Sequence, residues 1–71
     1  MISGVDINDW EKLPLTKLYD VPRETYVETE EGDKFLFHHI DGMYSVCYDV
    51  LGNLVHLAAW TDVYPLTKGT V

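Results

Sequence analysis

The chain predicts a mainly β domain: a small antiparallel meander curled into an SH3-like or OB-like barrel, preceded by a short N-terminal helical arm. Three observations carry that expectation. Aromatic and β-branched residues alternate from Glu24 to Leu66. Asp41-Gly42 and Gly52-Asn53 interrupt the alternation with dipeptides that favour two-residue hairpin turns. Five Tyr, two Phe and two Trp supply the dense packing that a 71-residue chain needs, because a domain of that size buries only roughly 60% of its unfolded surface. The one cysteine, Cys47, rules out an internal disulfide as the source of stability.

Residues 1–23 read as an arm distinct from the β domain of residues 24–71. Asp6 or Asn8 can cap a short helix carrying Asp9 to Leu13, and Pro14 limits it to about one or two turns. Thr16 to Tyr19 reads as a further turn. Trp10, Leu13, Leu15, Leu18 and Tyr19 are too apolar to remain in water, so the arm is expected to pack on the sheet.

The turns set a register for the strands. With Asp41-Gly42 as a two-residue loop, Ile40 faces Met43 and Phe37 faces Val46. With Gly52-Asn53 likewise, Val50 faces Val55, Tyr48 faces Leu57 and Asp49 faces His56. Side chains alternate between the two faces of a strand. One face then gathers Phe35, Phe37, His39, Tyr44, Val46, Tyr48, Val50, Val55, Leu57 and Ala59 as a core. A two-residue first turn at Glu31-Gly32 would add Glu28 to that face, and an unpaired buried carboxylate costs several kcal/mol. A three-residue loop, Glu31-Gly32-Asp33, is therefore expected, with Thr25, Val27 and Thr29 inward and Glu30 opposite Lys34. Val63 to Leu66 supplies a fifth strand that lets the sheet curl.

The same register places Tyr26, His38, Ser45 and Trp60 in one row on the second face, with Glu28 and Glu30 at its edge. Tyr and Trp are enriched at binding hot spots, which marks this row as a candidate partner-binding surface. The competing reading is that the arm covers it as a second small core. No metal site and no cofactor are expected: His38 and His39 are neighbours on a strand and point to opposite faces, and His56 pairs with Asp49. No catalytic residues are expected either. Ser45 beside His38 lacks a carboxylate to orient the histidine and a glycine-rich oxyanion loop. Cys47 reads as a packing thiol.

Twelve acidic residues against five basic ones give a formal net charge of −7. That field repels phosphates and disfavours direct nucleic-acid binding. No apolar run approaches the roughly 20 residues of a membrane helix, no signal peptide is evident, and a lone thiol suits a reducing compartment. The expectation is a cytoplasmic protein without a membrane partner.

The run Phe37-His38-His39-Ile40-Asp41-Gly42-Met43-Tyr44-Ser45, followed by Gly52-Asn53, Val55-His56-Leu57-Ala58-Ala59-Trp60-Thr61 and Val63, resembles short uncharacterised proteins encoded by tailed bacteriophages. The likeness covers about the C-terminal two-thirds of the chain and leaves residues 1–23 outside it. It implies a small accessory protein in the cytoplasm of an infected bacterium, and it carries no site residues over. Together with the candidate row it gives the functional expectation: a non-enzymatic protein–protein interaction module that binds or inhibits a host bacterial protein. Two other readings stand beside it. One is a structural protein that forms homo-oligomers through a sheet edge. The other is an acidic nucleic-acid mimic, with Glu28 and Glu30 presenting a phosphate-like row to a basic protein.

Overall fold

Two corners of the same design shape the sheet. In each, three residues ending in glycine join two strands, and the glycine takes the left-handed conformation that side chains oppose: Gly32 has φ +95° and Gly52 φ +87°. The Gly32 amide donates to the Thr29 carbonyl and the Gly52 amide to the Asp49 carbonyl, both at 2.9 Å. The polar side chain that opens each corner also serves it. Thr29 Oγ1 accepts from the Asp33 amide at 3.1 Å, and Asp49 Oδ1 accepts from the Asn53 amide at 2.8 Å.

The computed structural model describes residues 10–68. It contains β1 (Glu11–Lys12), β2 (Thr16–Lys17), a 3-10 turn (Leu18–Asp20), β3 (Thr25–Thr29), β4 (Lys34–Asp41), β5 (Tyr44–Asp49), β6 (Leu54–Val55) and β7 (Asp62–Thr67). The sheet runs β1-β7-β3-β4-β5-β6, with β2 also on β7, and every pairing is antiparallel. The mainly β expectation is met, and the last strand is where the sequence places it. The ladder of strands is open, with β1 and β6 at its ends, rather than closed into a barrel.

From residue 10 onward the arm is extended, apart from a 3-10 turn, rather than carrying the expected helix. Residues 11–12 pair with β7, and the Leu13 amide donates to the Pro65 carbonyl at 2.8 Å. A helix of one or two turns is marginal in water, whereas the free edge of β7 offers backbone partners at once. The proposed caps Asp6 and Asn8 lie outside the described residues. In an antiparallel strand the N–H and C=O of one residue point to the same side. Pro65 has no N–H to offer the arm, and β1 and β2 part opposite it, over residues 13–15. The turn expected over Thr16 to Tyr19 lies two residues later, as a 3-10 turn at Leu18–Asp20 after the strand Thr16–Lys17, and it drives Leu18 into the centre of the core.

That core consists of Leu18, Val21, Val27, Phe37, Cys47 and Val63, with Phe35, Ile40, Val55 and Leu57 packed against it. Here the expected register fails on β5, for an identifiable reason. A β-bulge adds His38 to β4, so Phe37 pairs with Cys47 while His39 pairs with Val46. One extra residue exchanges the faces of everything beyond it. Ser45 and Cys47 therefore point inward, both fully buried, and Val46 and Tyr48 point outward. The hairpin turn is also Gly42-Met43, with Asp41 opposite Tyr44, one residue later than expected. That slide keeps the faces; the bulge alone switches them.

The other two turns differ as well. The first loop has the expected length but comprises Glu30-Glu31-Gly32, so Glu28, not Glu30, faces Lys34. The third is Val50-Leu51-Gly52, which leaves Val50 exposed and pairs Cys47 with Val55. Glu28 is buried, against expectation, and its charge is answered twice: Lys12 Nζ lies 2.8 Å and Lys34 Nζ 3.3 Å from its carboxylate oxygens. Those lysines hold the Glu28 carboxyl below the usual carboxylate range, the Lys12 hydrogen bond contributing most.

Candidate functional site

The four-residue row expected on the second face is not assembled. Tyr26 is half-buried, opposite Leu36, with its ring edge-to-face against Trp10 at 5.1 Å. His38 lies on the same outer face, in an edge-to-face arrangement with Tyr48 at 6.2 Å. Ser45 is inside, at 0% exposure, and cannot touch a partner. Trp60 stands apart, in the turn that precedes β7. Glu28 is neutralised by its lysines and Glu30 sits in the first loop, so the two carboxylates form no row.

Ser45 and His38 are likewise separated by the sheet. The Ser45 hydroxyl donates to the Leu57 carbonyl at 2.9 Å and accepts from the Leu57 amide at 3.2 Å. His56 does not pair with Asp49; its Nδ1 donates to the Ser45 carbonyl at 3.0 Å. Asp49 is occupied by its own corner, and hydrogen bonds from Asn53 and then Leu51 and Gly52 lower its pKa. Cys47 is the packing thiol the sequence suggests: burial pushes its pKa up, and its sulfur lies 3.3 Å from Ser45 Oγ.

A different surface emerges at one end of the sheet, built around Ala59. The Ala59 amide donates to the Met43 carbonyl at 2.8 Å, and the Ala59 carbonyl accepts from the Tyr19 amide at 3.0 Å. Tyr44 forms a bridge with Ala58. Beyond it, the Thr61 amide closes a tight turn onto the Ala58 carbonyl, and the Leu18 amide bonds the Thr61 carbonyl. These bonds set the backbones of Tyr19, Met43, Tyr44 and Trp60 beside one another. All four side chains remain more than half exposed: 55%, 66%, 55% and 52%. Large exposed side chains on neighbouring backbones are costly in water and make this end a candidate contact surface. Asp20 and Asp41 adjoin it in the chain, both exposed, and Asp62 is answered by Lys17 at 2.8 Å. Of these residues the sequence singled out Trp60 alone. The bridging bonds of Ala59 have no sequence signal, and Tyr44 was assigned to the core.

The histidines differ most from expectation. Because His38 is the extra residue of the bulge, it shares the outer side with His39. Their Nδ1 atoms are 2.7 Å apart, and the rings meet edge-to-face at 4.9 Å. The bulge also frees the His38 carbonyl, which accepts from the Glu24 amide at 3.3 Å. Glu24 reaches it in a left-handed conformation, φ +58°, unusual for a residue other than glycine. Among the described residues no cluster of three or more His, Cys, Asp or Glu side chains is placed to hold a metal ion, and no helix is long and apolar enough to cross a membrane.

Comparison with protein families, with curated proteins and with solved structures finds no match to this chain.

Proposed function

We propose that the domain is a non-enzymatic interaction module that binds a basic segment of another protein at the Tyr19–Met43–Tyr44–Trp60 end. The observation that carries this reading is the exposure of four large side chains on backbones locked together through Ala59. Tyr and Trp faces attract Arg and Lys side chains, and a net charge of −7 steers a basic partner toward the domain. The phage resemblance suggests a host bacterial protein as that partner and the cytoplasm as the place of encounter, with inhibition of the host protein as the consequence. The end surface replaces the row of Tyr26, His38, Ser45 and Trp60.

An SH3-like reading of the open sheet belongs to this proposal too, supported by the last strand lying beside the first of the meander. Ala59 links the β5 side of the sheet to the arm side through its two backbone groups.

Trp60→Ala and Tyr44→Ala test the proposal. Each should retain the fold by circular dichroism and thermal melting, yet lose capture of the partner in a pull-down from bacterial lysate. Full capture by the double variant would refute the end surface. Loss of folding would place these rings in the core.

Self-association through the β6 edge is a second reading, favoured by one observation: Leu51 is 80% and Leu54 55% exposed beside that unpaired edge. It requires an oligomer in a sizing experiment, and a monomer at high concentration rejects it. The nucleic-acid mimic has lost its acidic row.

A further inference from the structure

The paired histidines offer a site that the interaction surface does not use. Two imidazoles on an exposed bulge, with Nδ1 facing Nδ1 at 2.7 Å, are held in a hydrogen bond. One ring must donate and the other accept, because two Nδ1–H groups would repel and two lone pairs would too. A modest turn of the two rings would direct both Nδ1 lone pairs at one ion lying beside the line that joins them. Metal–imidazole bonds of about 2.0–2.1 Å put two nitrogens about 2.9 Å apart at a right angle and about 3.3 Å apart at a tetrahedral one. The observed spacing is nearest the right-angled, tetragonal case. Two further features agree. Among the described residues no third strong ligand joins the pair, which disfavours a closed tetrahedral zinc site and leaves positions for water. The backbone under the pair is fixed, since the bulge is locked by the Phe37–Cys47 and His39–Val46 pairings on either side and by the Glu24 bond to the His38 carbonyl.

We propose that His38 and His39 form a surface chelate for Cu(II), binding through both Nδ1 atoms as adjacent equatorial ligands, with water in the remaining positions. Copper is the divalent ion that nitrogen sites of this kind hold most tightly, and tetragonal geometry is its preference. Binding displaces the proton shared between the rings. That proton leaves the donor Nδ1 and the ring reprotonates at its Nε2, so both rings stay neutral and the ion adds its full charge to an acidic protein.

The test is titration of the full chain with a copper(II) salt at neutral pH, read by electron paramagnetic resonance and by quenching of intrinsic fluorescence. The proposal expects one tightly held equivalent whose spectrum shows two equatorial nitrogens. His38→Ala and His39→Ala should each lose it as completely as the double variant does, because two arms of one chelate are not additive. His56→Ala should retain it. Copper held by the amino terminus or by other side chains appears equally in all variants and is subtracted as background. A His38→Ala chain that keeps the nitrogen coupling overturns the proposal. So does ready displacement of copper by an equal concentration of zinc. His38 is exposed, so its variant carries the test even if His39→Ala fails to fold.

Discussion

The Ser45 side chain stands in for its own backbone in pairing with Leu57. The Ser45 amide donates to the Leu57 carbonyl at 2.7 Å in the manner of a regular ladder. The return bond, however, runs from the Leu57 amide to Ser45 Oγ rather than to the Ser45 carbonyl. The carbonyl released in this way accepts from His56 Nδ1. A buried hydroxyl thus joins β5 to the segment that leads into Ala59, and the proposed contact surface at the end of the sheet depends on that join.

Ser45→Ala should therefore destabilise the protein by about 1–3 kcal/mol, since it orphans the Leu57 amide in the interior. For a chain of this length that is a large share of the total stability. Urea unfolding followed by tryptophan fluorescence measures it. A midpoint equal to wild type would mean that water or a relaxed backbone replaces the hydroxyl.

Glu24→Gly should raise stability, by about 0.5–1 kcal/mol, where most substitutions to glycine lower it. Glu24 holds φ +58° to reach the His38 carbonyl, and glycine relieves that strain. The contrasting variant is Gly32→Ala. Nothing lies within 4 Å of the added methyl, so its cost of about 1 kcal/mol is purely conformational. Shifts in thermal midpoint of opposite sign are the expected signature.

Acid should weaken the fold through Glu28 and Asp49. Both carboxyls titrate below their usual range in the folded state. Their contribution is complete above the unfolded-state values, about 4, and is lost as pH falls through the folded values, where the unfolded chain takes up protons first. Glu28→Gln removes one of the two groups. Its melting temperature should fall less between neutral pH and acid than that of wild type. An identical acid dependence would show that the Lys12 and Lys34 pairs are solvated in solution.

Cys47 should resist thiol reagents in native buffer and react at once in denaturant. It is fully buried, and burial keeps the thiol protonated. The labelling rate should follow the unfolding free energy across the variants above. Rapid labelling of the native protein would contradict the inward orientation of β5.

The glycine corners, the last strand and the inward side of β3 were legible because each has a local cause. Gly32, Gly42 and Gly52 all occupy left-handed conformations, and Val27 and Thr29 are buried, with Thr25 half-buried. The arm was misread as helical because the free edge of β7 that captures it lies more than 50 residues along the chain from β1. Burial of Glu28 was misjudged for the same reason. Its partner Lys12 comes from that arm, and only the fold brings the pair together.

Taken alone, the residues determined the β class, the corners and the negative field, which follow from composition and from conformational preferences of single residues. The tertiary structure decided which side of β5 is the inside. One inserted residue, His38, turns Ser45 and Cys47 inward and brings two histidines together, and no alternation of side chains announces it. Strands have a period of two, so a single bulge reverses every assignment downstream, and whether a bulge forms is settled by how both strands pack on the shared core.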